Sequence, residues 1–497
     1  MEGQIHPWKV LLGWHLAIFV LRGLVLVLGP LDLFIEEAQY WVWSQRPALS
    51  YYSKPPMVAY VNWLSTSIFG STEFALKLNA LSLGLIYSLL TYAFSYELFR
   101  NVKQALVASL LVYALPMNHL IFNVFSTDSL LLVFWALTTL LFWRAIQTDK
   151  VICWVAVGVF AGMGFLSKYT MVLFAPIAFL YLFWHRVEVF RKRGIYISLF
   201  ITFLFMLPVL IWNWQMDFIS FKHLADEGKT ALTIGKRLQL GSEFIGSEIG
   251  MLSPFLFPFI VGAIIDAFRR KSAEHFYLLL APLLVFSFFL VYSFTKRVEV
   301  NWPFFSYFTI PILLANYYEN LNKKKGFHIA TITSIVLIVP FFYLSVYLQP
   351  LGLNHIMPPK KDPARRLYGW NTLGKRVQQK IDQYAAKDYF IFSDSYHVAS
   401  EVAFYTEDQQ VPFCINLGRR RNQFDLWDGI RQFEGTDQVG IFVTKEKELP
   451  TAVIAGFEQL VATDIVEIEL GHQVVWRYHI AVLRGLIHIE ERESKSY

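Results

Sequence analysis

The sequence predicts a polytopic α-helical membrane protein ending in a small α/β domain. Three observations support this fold class. Of 497 residues, 55% are hydrophobic and only 16% charged, whereas soluble chains carry about a quarter charged residues. Apolar runs long enough to cross a bilayer recur along the first 349 positions. From Gln349 onward the composition turns polar. A mean hydropathy of +0.42 and an aromatic share of 17% suit a chain with many interfacial Trp and Tyr residues.

About 20 apolar residues span the hydrocarbon core. On that rule there are about eleven candidate spans, near 8–29, 74–98, 104–121, 129–147, 151–167, 170–185, 195–213, 248–268, 274–294, 303–319 and 327–349. The first contains His15 and Arg22 and lacks a small-residue cleavage site, so it reads as an uncleaved anchor. Arg22 is costly in lipid and is expected to face a polar partner. With a cytoplasmic N-terminus, the inner loops hold Arg100 and Lys103, then Arg144 and Lys150. The Arg186–Arg193 stretch, Arg269 to Lys271, and Lys323 to Lys325 follow. Every second loop is therefore short and basic, as the positive-inside rule requires. An odd number of spans sends the C-terminal region outside. The outer loops, near 30–73 and 214–247, are longer and carry the unusual residues.

In residues 350–497, Lys375 to Ala386 reads as a helix and D-Y-F-I-F-S-D, Q-V-P-F-C-I-N and V-G-I-F-V-T-K as strands. The segment Y-H-V-A-S-E-V-A-F-Y-T fits a helix between two of them. Strands alternating with helices predict an α/β domain. Cys153 and Cys414 lie in dissimilar segments and predict no disulfide.

The first outer loop reads F-I-E-E-A-Q-Y-W-V-W-S-Q-R-P-A-L-S-Y-Y-S-K-P-P over 34–56. Glu36 and Tyr40 are four apart, as are Glu37 and Trp41, so each pair shares one helix face. Two readings fit. One is an interfacial amphipathic helix anchored by Trp41 and Trp43, with its acids in water. The other is a carboxylate held as a general base, its pKa raised by its neighbour. Lys54, beside Tyr52 and stiffened by Pro55 and Pro56, either snorkels to headgroups or binds the phosphate of a lipid-linked substrate. It has company on the outer face: Lys168 in G-F-L-S-K-Y-T, and Lys296 and Arg297 in T-K-R-V-E-V-N-W-P, with Glu299 and Asn301 beside them. Cations there run against the positive-inside bias. A phosphate site, with Arg297 binding in bidentate fashion, accounts for the excess. Asp128 enters the fourth span from outside. It suits the helix dipole, with Ser126 or Thr127 as cap, as well as it suits catalysis. Arg419, Arg420, Arg421 and Asp425 form either a solvated charge run or a surface for an anionic acceptor. There is no P-loop, no G-x-G-x-x-G after a strand, no H-E-x-x-H and no zinc-spaced His/Cys cluster. No nucleic-acid partner is expected.

E-E-A-Q-Y-W-V-W-S-Q followed by Y-Y-S-K-P-P resembles the opening of the bacterial integral-membrane glycosyltransferases of the GT-C fold. These include the lipid A aminoarabinose transferase and relatives of the protein O-mannosyltransferases; the family 39-like group is the nearest in pattern. F-S-T-D-S-L-L-L-V-F-W, G-F-L-S-K-Y-T, L-P-V-L-I-W-N-W-Q, E-F-I-G-S-E-I-G-M-L-S-P, E-V-N-W-P-F-F-S-Y-F, R-R-L-Y-G-W and R-R-R-N-Q-F-D-L-W-D-G continue the resemblance along nearly the whole chain. The resemblance implies a polyprenyl-phosphate (undecaprenyl-phosphate) sugar donor used on the periplasmic face of the inner membrane, and a cell-envelope acceptor such as lipid A or another glycolipid. It implies that the catalytic acid pair falls on Glu36 and Glu37, with Glu where the family usually has Asp at the first position. It puts donor-phosphate contacts on Lys54 and Lys168, to which the outer-face argument adds Arg297. Tyr40, Tyr52, Asp128, Glu299 and Asn301 are the expected substrate neighbours. The aminoarabinose transferase has an acid just before its Lys-Pro and this chain has Ser53, so no metal ligand is carried over; a divalent metal stays open. A protein Ser/Thr acceptor, a growing polysaccharide, and a lipid-linked sugar transporter are the competing readings.

Overall fold

The computed structural model describes residues 7–29, 31–226, 233–339, 342, 362–385, 388–470 and 473–492. The chain divides into two compact units. One comprises residues 1–26, 77–212 and 228–343; the other comprises 27–76, 213–227 and 344–497.

The first unit is helical. Among the described residues, five helices are long and apolar enough to cross a membrane: Lys9–Leu26, Glu73–Phe99, Thr127–Thr148, Arg193–Gln215 and Ala273–Ser293, the second and fourth of which run across the boundary between units. A sixth arises if the bent pair Val102–Ala114 and Pro116–Asn123 counts as one span. The pair bends by 69° because Leu115, which precedes a proline, is extended at φ −98° and ψ 117°. Other expected spans are broken in similar ways. The stretch 248–268 is interrupted after Met251 by Ser253 at φ 72° and Pro254. The stretch 303–319 begins as a 3-10 turn, Phe304–Thr309, before Ile310–Glu319. Val151–Ser167, Tyr169–His185 and Lys325–Val339 are shorter apolar helices. The end of the 327–349 stretch lies outside the described residues.

Thr127–Thr148 is the centre of this unit, with 83% of its apolar window buried, against 17% for Arg193–Gln215. The latter therefore leaves most of its apolar surface uncovered by the rest of the described chain. It packs closely on Val151–Ser167 because Gly162 has no side chain; a Cβ there would lie 2.4 Å from Phe205. Arg22 finds the polar partners its position requires. Its guanidinium donates to the Phe122 carbonyl and to Asn123 Oδ1, each at 2.7 Å.

The second unit is built on a five-stranded mixed sheet: β1 Tyr389–Ser393, β2 Phe413–Cys414, β3 Val439–Thr444, β4 Phe457–Leu470 and β5 Gln473–Leu486, in the order β2-β1-β3-β5-β4. β1 pairs in parallel with β2 and β3, while β5 runs antiparallel to β3 and β4. The three expected strands and the helix Tyr396–Tyr405 are present, and the expected helix runs Trp370–Tyr384. The long β4–β5 hairpin was not expected. Its alternating T-D-I-V-E-I-E-L carries a period of two with one exposed face. β1 and β3 are fully buried, as strands covered on both faces should be. On one face Ile391, Ile441 and Ile480 pack with Leu373 and Val377 of the Trp370 helix and Val402 of the Tyr396 helix. On the other, Phe392, Phe442 and Phe457 form the core.

The segment 27–76 belongs to this unit. Asp32 N–H donates to the Leu367 carbonyl at 2.8 Å, and its carboxylate accepts from the Trp370 N–H at 2.7 Å. Leu33 N–H donates to the Tyr405 hydroxyl at 2.7 Å, which in turn donates to Glu73 at 2.6 Å. Ile35 then packs on the sheet's core. Gly369 makes the turn into the Trp370 helix at φ +95°, where a Cβ would sit 2.4 Å from Ile468. Gly369→Ala is expected to destabilise the protein by at least about 1 kcal/mol, the ordinary cost of a side chain in left-handed backbone. A lower melting temperature of the detergent-purified protein reads this out; an unchanged one contradicts it.

Candidate active site

Both members of the acid pair lie at the start of the helix Ile35–Gln45, and they differ in surroundings. Phe34 is extended, and its N–H donates to Glu37 Oε2 at 3.0 Å. Glu37 thus closes its own helix N-terminus and is 1% exposed. Glu36 is half-buried. Burial raises its pKa; its own backbone N–H, the Arg366 guanidinium and the Lys54 ammonium oppose the rise. That combination is a carboxylate partly stripped of water yet accompanied by two cations.

The helix is not an interfacial one. Trp41 and Trp43 are each 1% exposed, so they are core rather than membrane anchors. Trp41 meets Phe404 edge-on at 5.1 Å and donates to Ser71 Oγ at 3.1 Å. Trp43 stacks on Tyr51 at 4.5 Å. Tyr40 is buried edge-on against Trp43.

Y-Y-S-K-P-P folds as a tight turn in which the Tyr51 N–H donates to the Lys54 carbonyl at 3.1 Å. The half-buried Lys54 is thereby held just before Pro55. Gln423 fixes the turn by accepting from the Tyr52 N–H at 2.6 Å, and Ser220 by donating to the Tyr51 carbonyl at 3.2 Å. The buried Tyr52 ring lies 4.8 Å from His223, whose Nδ1 accepts from Arg420 at 2.7 Å. Tyr396 also faces this region. Burial and the Glu36 charge push its hydroxyl up to about 12, against the pull of Arg419 and Arg420.

Arg419 is not part of a solvated charge run. It grips Asp425 with two parallel bonds of 2.8 and 3.0 Å and also reaches the Cys414 carbonyl at 3.2 Å. Asp425 in turn accepts from the Asn422 N–H at 2.6 Å. The pair ties a loop together.

The remaining expected residues lie in the helical unit. Ser126 caps the Thr127–Thr148 helix, which frees Asp128 for other partners. Lys168 Nζ donates to Asp128 Oδ1 at 2.6 Å and Asn301 Nδ2 donates to Oδ2 at 2.9 Å. Asp128 and Lys168 are 6% and 8% exposed. Arg297 and Glu299 are exposed and face each other at 3.6 Å. Lys296 lies over Tyr292 at 4.6 Å. Also in this unit, Glu248 of E-F-I-G-S-E-I-G-M is 1% exposed and accepts from the Tyr307 hydroxyl at 2.8 Å. Among the described residues, no three His, Cys, Asp or Glu side chains come together as a metal site. Reading residues one by one missed Arg366, Tyr396 and His397. R-R-L-Y-G-W stood out as a motif, but nothing in the sequence tied it to a loop 330 residues earlier.

Residues 53–212 match the family model described as dolichyl-phosphate-mannose-protein mannosyltransferase. The chain is 30% identical over 263 residues to the lipid A galacturonosyltransferase RgtD of Rhizobium johnstonii, covering 51% of this chain and 53% of that protein. It is 24% identical over 316 residues to the undecaprenyl phosphate-alpha-4-amino-4-deoxy-L-arabinose arabinosyl transferase of Wigglesworthia glossinidia brevipalpis, covering 58% of this chain and 53% of that protein. The matched portion spans about half the length of these curated relatives. The crystal structure of ArnT from Cupriavidus metallidurans bound to undecaprenyl phosphate superposes with a TM-score of 0.64 at 14% identity, covering 95% of this chain and 98% of that one. Over residues 53–212 the chain thus matches the mannosyltransferase family, and over nearly its whole length it has the fold of ArnT, the GT-C fold.

Proposed function

We propose that the chain is an inverting glycosyltransferase. It moves a sugar from an undecaprenyl-phosphate donor to a cell-envelope glycolipid, in the first instance lipid A. The reaction takes place on the periplasmic face of the inner membrane. The observation that carries this reading is Glu36, a half-buried carboxylate with a raised pKa and the positive charges of Lys54 and Arg366 beside it. The names of the relatives support the same donor and acceptor classes. In the proposed topology residues 1–349 cross the membrane eleven times from a cytoplasmic N-terminus, and residues 350–497 are periplasmic. The alternation of short basic loops supports that arrangement.

The chemistry is a single displacement at the sugar's anomeric carbon. An acceptor oxygen forms the new bond as the bond to the phosphate oxygen breaks, and undecaprenyl phosphate leaves. Lys54 stabilises the charge that grows on the departing phosphate. Glu36 accepts the proton of an acceptor hydroxyl. An acceptor phosphate is already anionic and needs no base; Glu36 then binds and orients the sugar. Glu37, committed to its helix cap, keeps the Glu36 backbone in place. A protein Ser/Thr acceptor is the second reading, favoured by the description of the matched family. Mass spectrometry of lipid A and of envelope proteins from a deletion strain separates the two.

Glu36→Gln is expected to lower kcat by about 10²–10⁴-fold while undecaprenyl phosphate still binds; full transfer by this variant removes Glu36 from the mechanism. The folded pKa of Glu36 lies above its unfolded value, so its stability contribution is fully present below the unfolded pKa and falls as pH rises through the folded one. At neutral pH the Gln variant should therefore melt no lower than wild type. With a hydroxyl acceptor, the rate should fall with decreasing pH above the ordinary carboxylate range, because the base must be ionised.

Lys168 is closed into its pair with Asp128, and we assign that pair a structural task. Lys168→Met or Asp128→Asn alone should cost about 3–5 kcal/mol by leaving a buried charge unmatched, with much of it recovered in the double variant. A Lys168→Met protein with wild-type melting and weakened undecaprenyl phosphate binding would instead make this lysine a phosphate ligand.

A further inference from the structure

The motif R-R-R-N-Q-F-D-L-W grips a turn that lies some 370 residues before it. Its own loop is tied down first. Arg419 reaches the Cys414 carbonyl of β2 at 3.2 Å and holds Asp425 with bonds of 2.8 and 3.0 Å. Asp425 accepts from the Asn422 N–H at 2.6 Å, and Asn422 Oδ1 accepts from the Phe424 N–H at 2.8 Å. These reciprocal bonds start the 3-10 turn Gln423–Leu426. Gln423 is 3% exposed, and its Oε1 accepts from the Tyr52 N–H at 2.6 Å, across 371 residues. The same loop meets Tyr52 a second way. Arg420 donates to His223 at 2.7 Å, and the His223 ring lies 4.8 Å from that of Tyr52. The Tyr51–Lys54 turn closes on itself through the Tyr51 N–H and the Lys54 carbonyl. The Tyr51 carbonyl is met by Ser220, and the Tyr52 N–H by Gln423. Both tyrosines are buried, so an amide left without its acceptor there costs more than a hydrogen bond returns. The turn keeps this shape only while Gln423 stays in place.

We propose that Gln423 is a positioning residue for Lys54: it fixes the backbone of the Tyr51–Lys54 turn, so that the ammonium meets the donor phosphate from one place. This rests on the reading of Lys54 as the donor-phosphate ligand. A lysine is a point charge on a flexible four-carbon stem, and gripping an anion costs it rotamer freedom. Pro55 and Pro56 stiffen the chain after Lys54. Tyr52 and Ser53, before it, have no such stiffening of their own, and the bond from Gln423 supplies the restraint on that side. With the backbone fixed, only the side-chain torsions remain to be ordered on binding, which lowers the cost of association. The residue type suits the task. A neutral amide oxygen accepts from the Tyr52 N–H without adding a negative charge that would compete with the phosphate for the ammonium. Gln423 itself touches no phosphate in this scheme; it acts through Lys54.

The test is a double-variant cycle on the full-length protein in a neutral detergent, with thermophoresis measuring the binding of undecaprenyl phosphate. Lys54→Gln is expected to weaken binding by at least about tenfold, the worth of a charge-assisted hydrogen bond. Gln423→Met, close in shape but without the acceptor, should weaken it by about three- to tenfold, the worth of one ordinary bond. In the Lys54→Gln background the same Gln423→Met change should alter binding by less than twofold, because the group it positions is gone. Gln423→Asn removes the same bond with a smaller change and carries the same expectations, should Gln423→Met melt too low to assay. Binding by the Gln423 variant within twofold of wild type overturns the proposal. So does a loss of the same size in both backgrounds, which would mean that the loop supports the fold or meets the lipid independently of Lys54. If Lys54→Gln binds as wild type does, the phosphate reading of Lys54 is refuted and this role for Gln423 falls with it; if only the Gln423 variant is unaffected, that reading stands and the positioning role alone is lost.

Discussion

Asp32 joins two distant parts of the chain through its backbone and its side chain at once. Its N–H is spent on the Leu367 carbonyl and its carboxylate on the Trp370 N–H. The second bond supplies an acceptor to a helix start that otherwise has no capping side chain. Glu36 lies four residues further on. With Leu33 held by Tyr405 and Ile35 packed on the sheet, the entry to the Ile35–Gln45 helix has little freedom left. The Arg366 charge that acts on Glu36 depends on this join, because Arg366 immediately precedes Leu367, the first of the two Asp32 partners. A loop hung only between membrane helices would leave the same carboxylate solvated, at an ordinary pKa.

The acid pair divides its labour through backbone geometry. Two adjacent carboxylates in similar settings would repel, and one would hold a proton. Here Glu37 points back to the Phe34 N–H, where the helix start favours a negative charge. Glu36, one position earlier, points elsewhere and meets cations. The asymmetry needs no difference in side-chain chemistry; the turn of the helix is enough. It also accommodates a Glu where the resembled family usually has Asp. The position of the carboxylate is set by the Asp32 join as well as by side-chain length.

Much of this was legible in the sequence, and what was not has a physical cause. Apolar runs, basic loops and the polar C-terminal third all follow from local composition, so the membrane character and the short strands could be read directly. Span count was harder, because Leu115-Pro116 and Ser253-Pro254 break helices whose composition alone looks continuous. Trp41 and Trp43 are ambiguous in the sequence for a related reason. Aromatic residues suit a lipid interface and a protein core equally, and the choice was made by Phe404 and Tyr51, which composition cannot bring near. The order Glu36 then Lys54 was visible, and so was the R-R-L-Y-G-W motif. Their shared setting was not, since it rests on hydrogen bonds between residues more than 330 positions apart. Arg419 shows the converse: a run of three arginines suggests solvent, yet one of them is tied to Asp425.

The sequence separation of the Asp32 join also bears on how the protein is made. Synthesis delivers Glu36 early, and Trp370 and Tyr405 follow 338 and 369 residues after Asp32 and Glu36 respectively. Until they arrive, the loop that bears the carboxylate has no sheet to dock on. The long closure is entropically slow, but it sets an order of events. A partly synthesised chain would hold apolar helices without the docked Ile35–Gln45 segment. The surroundings of Glu36 are complete only when the last third of the polypeptide is in place.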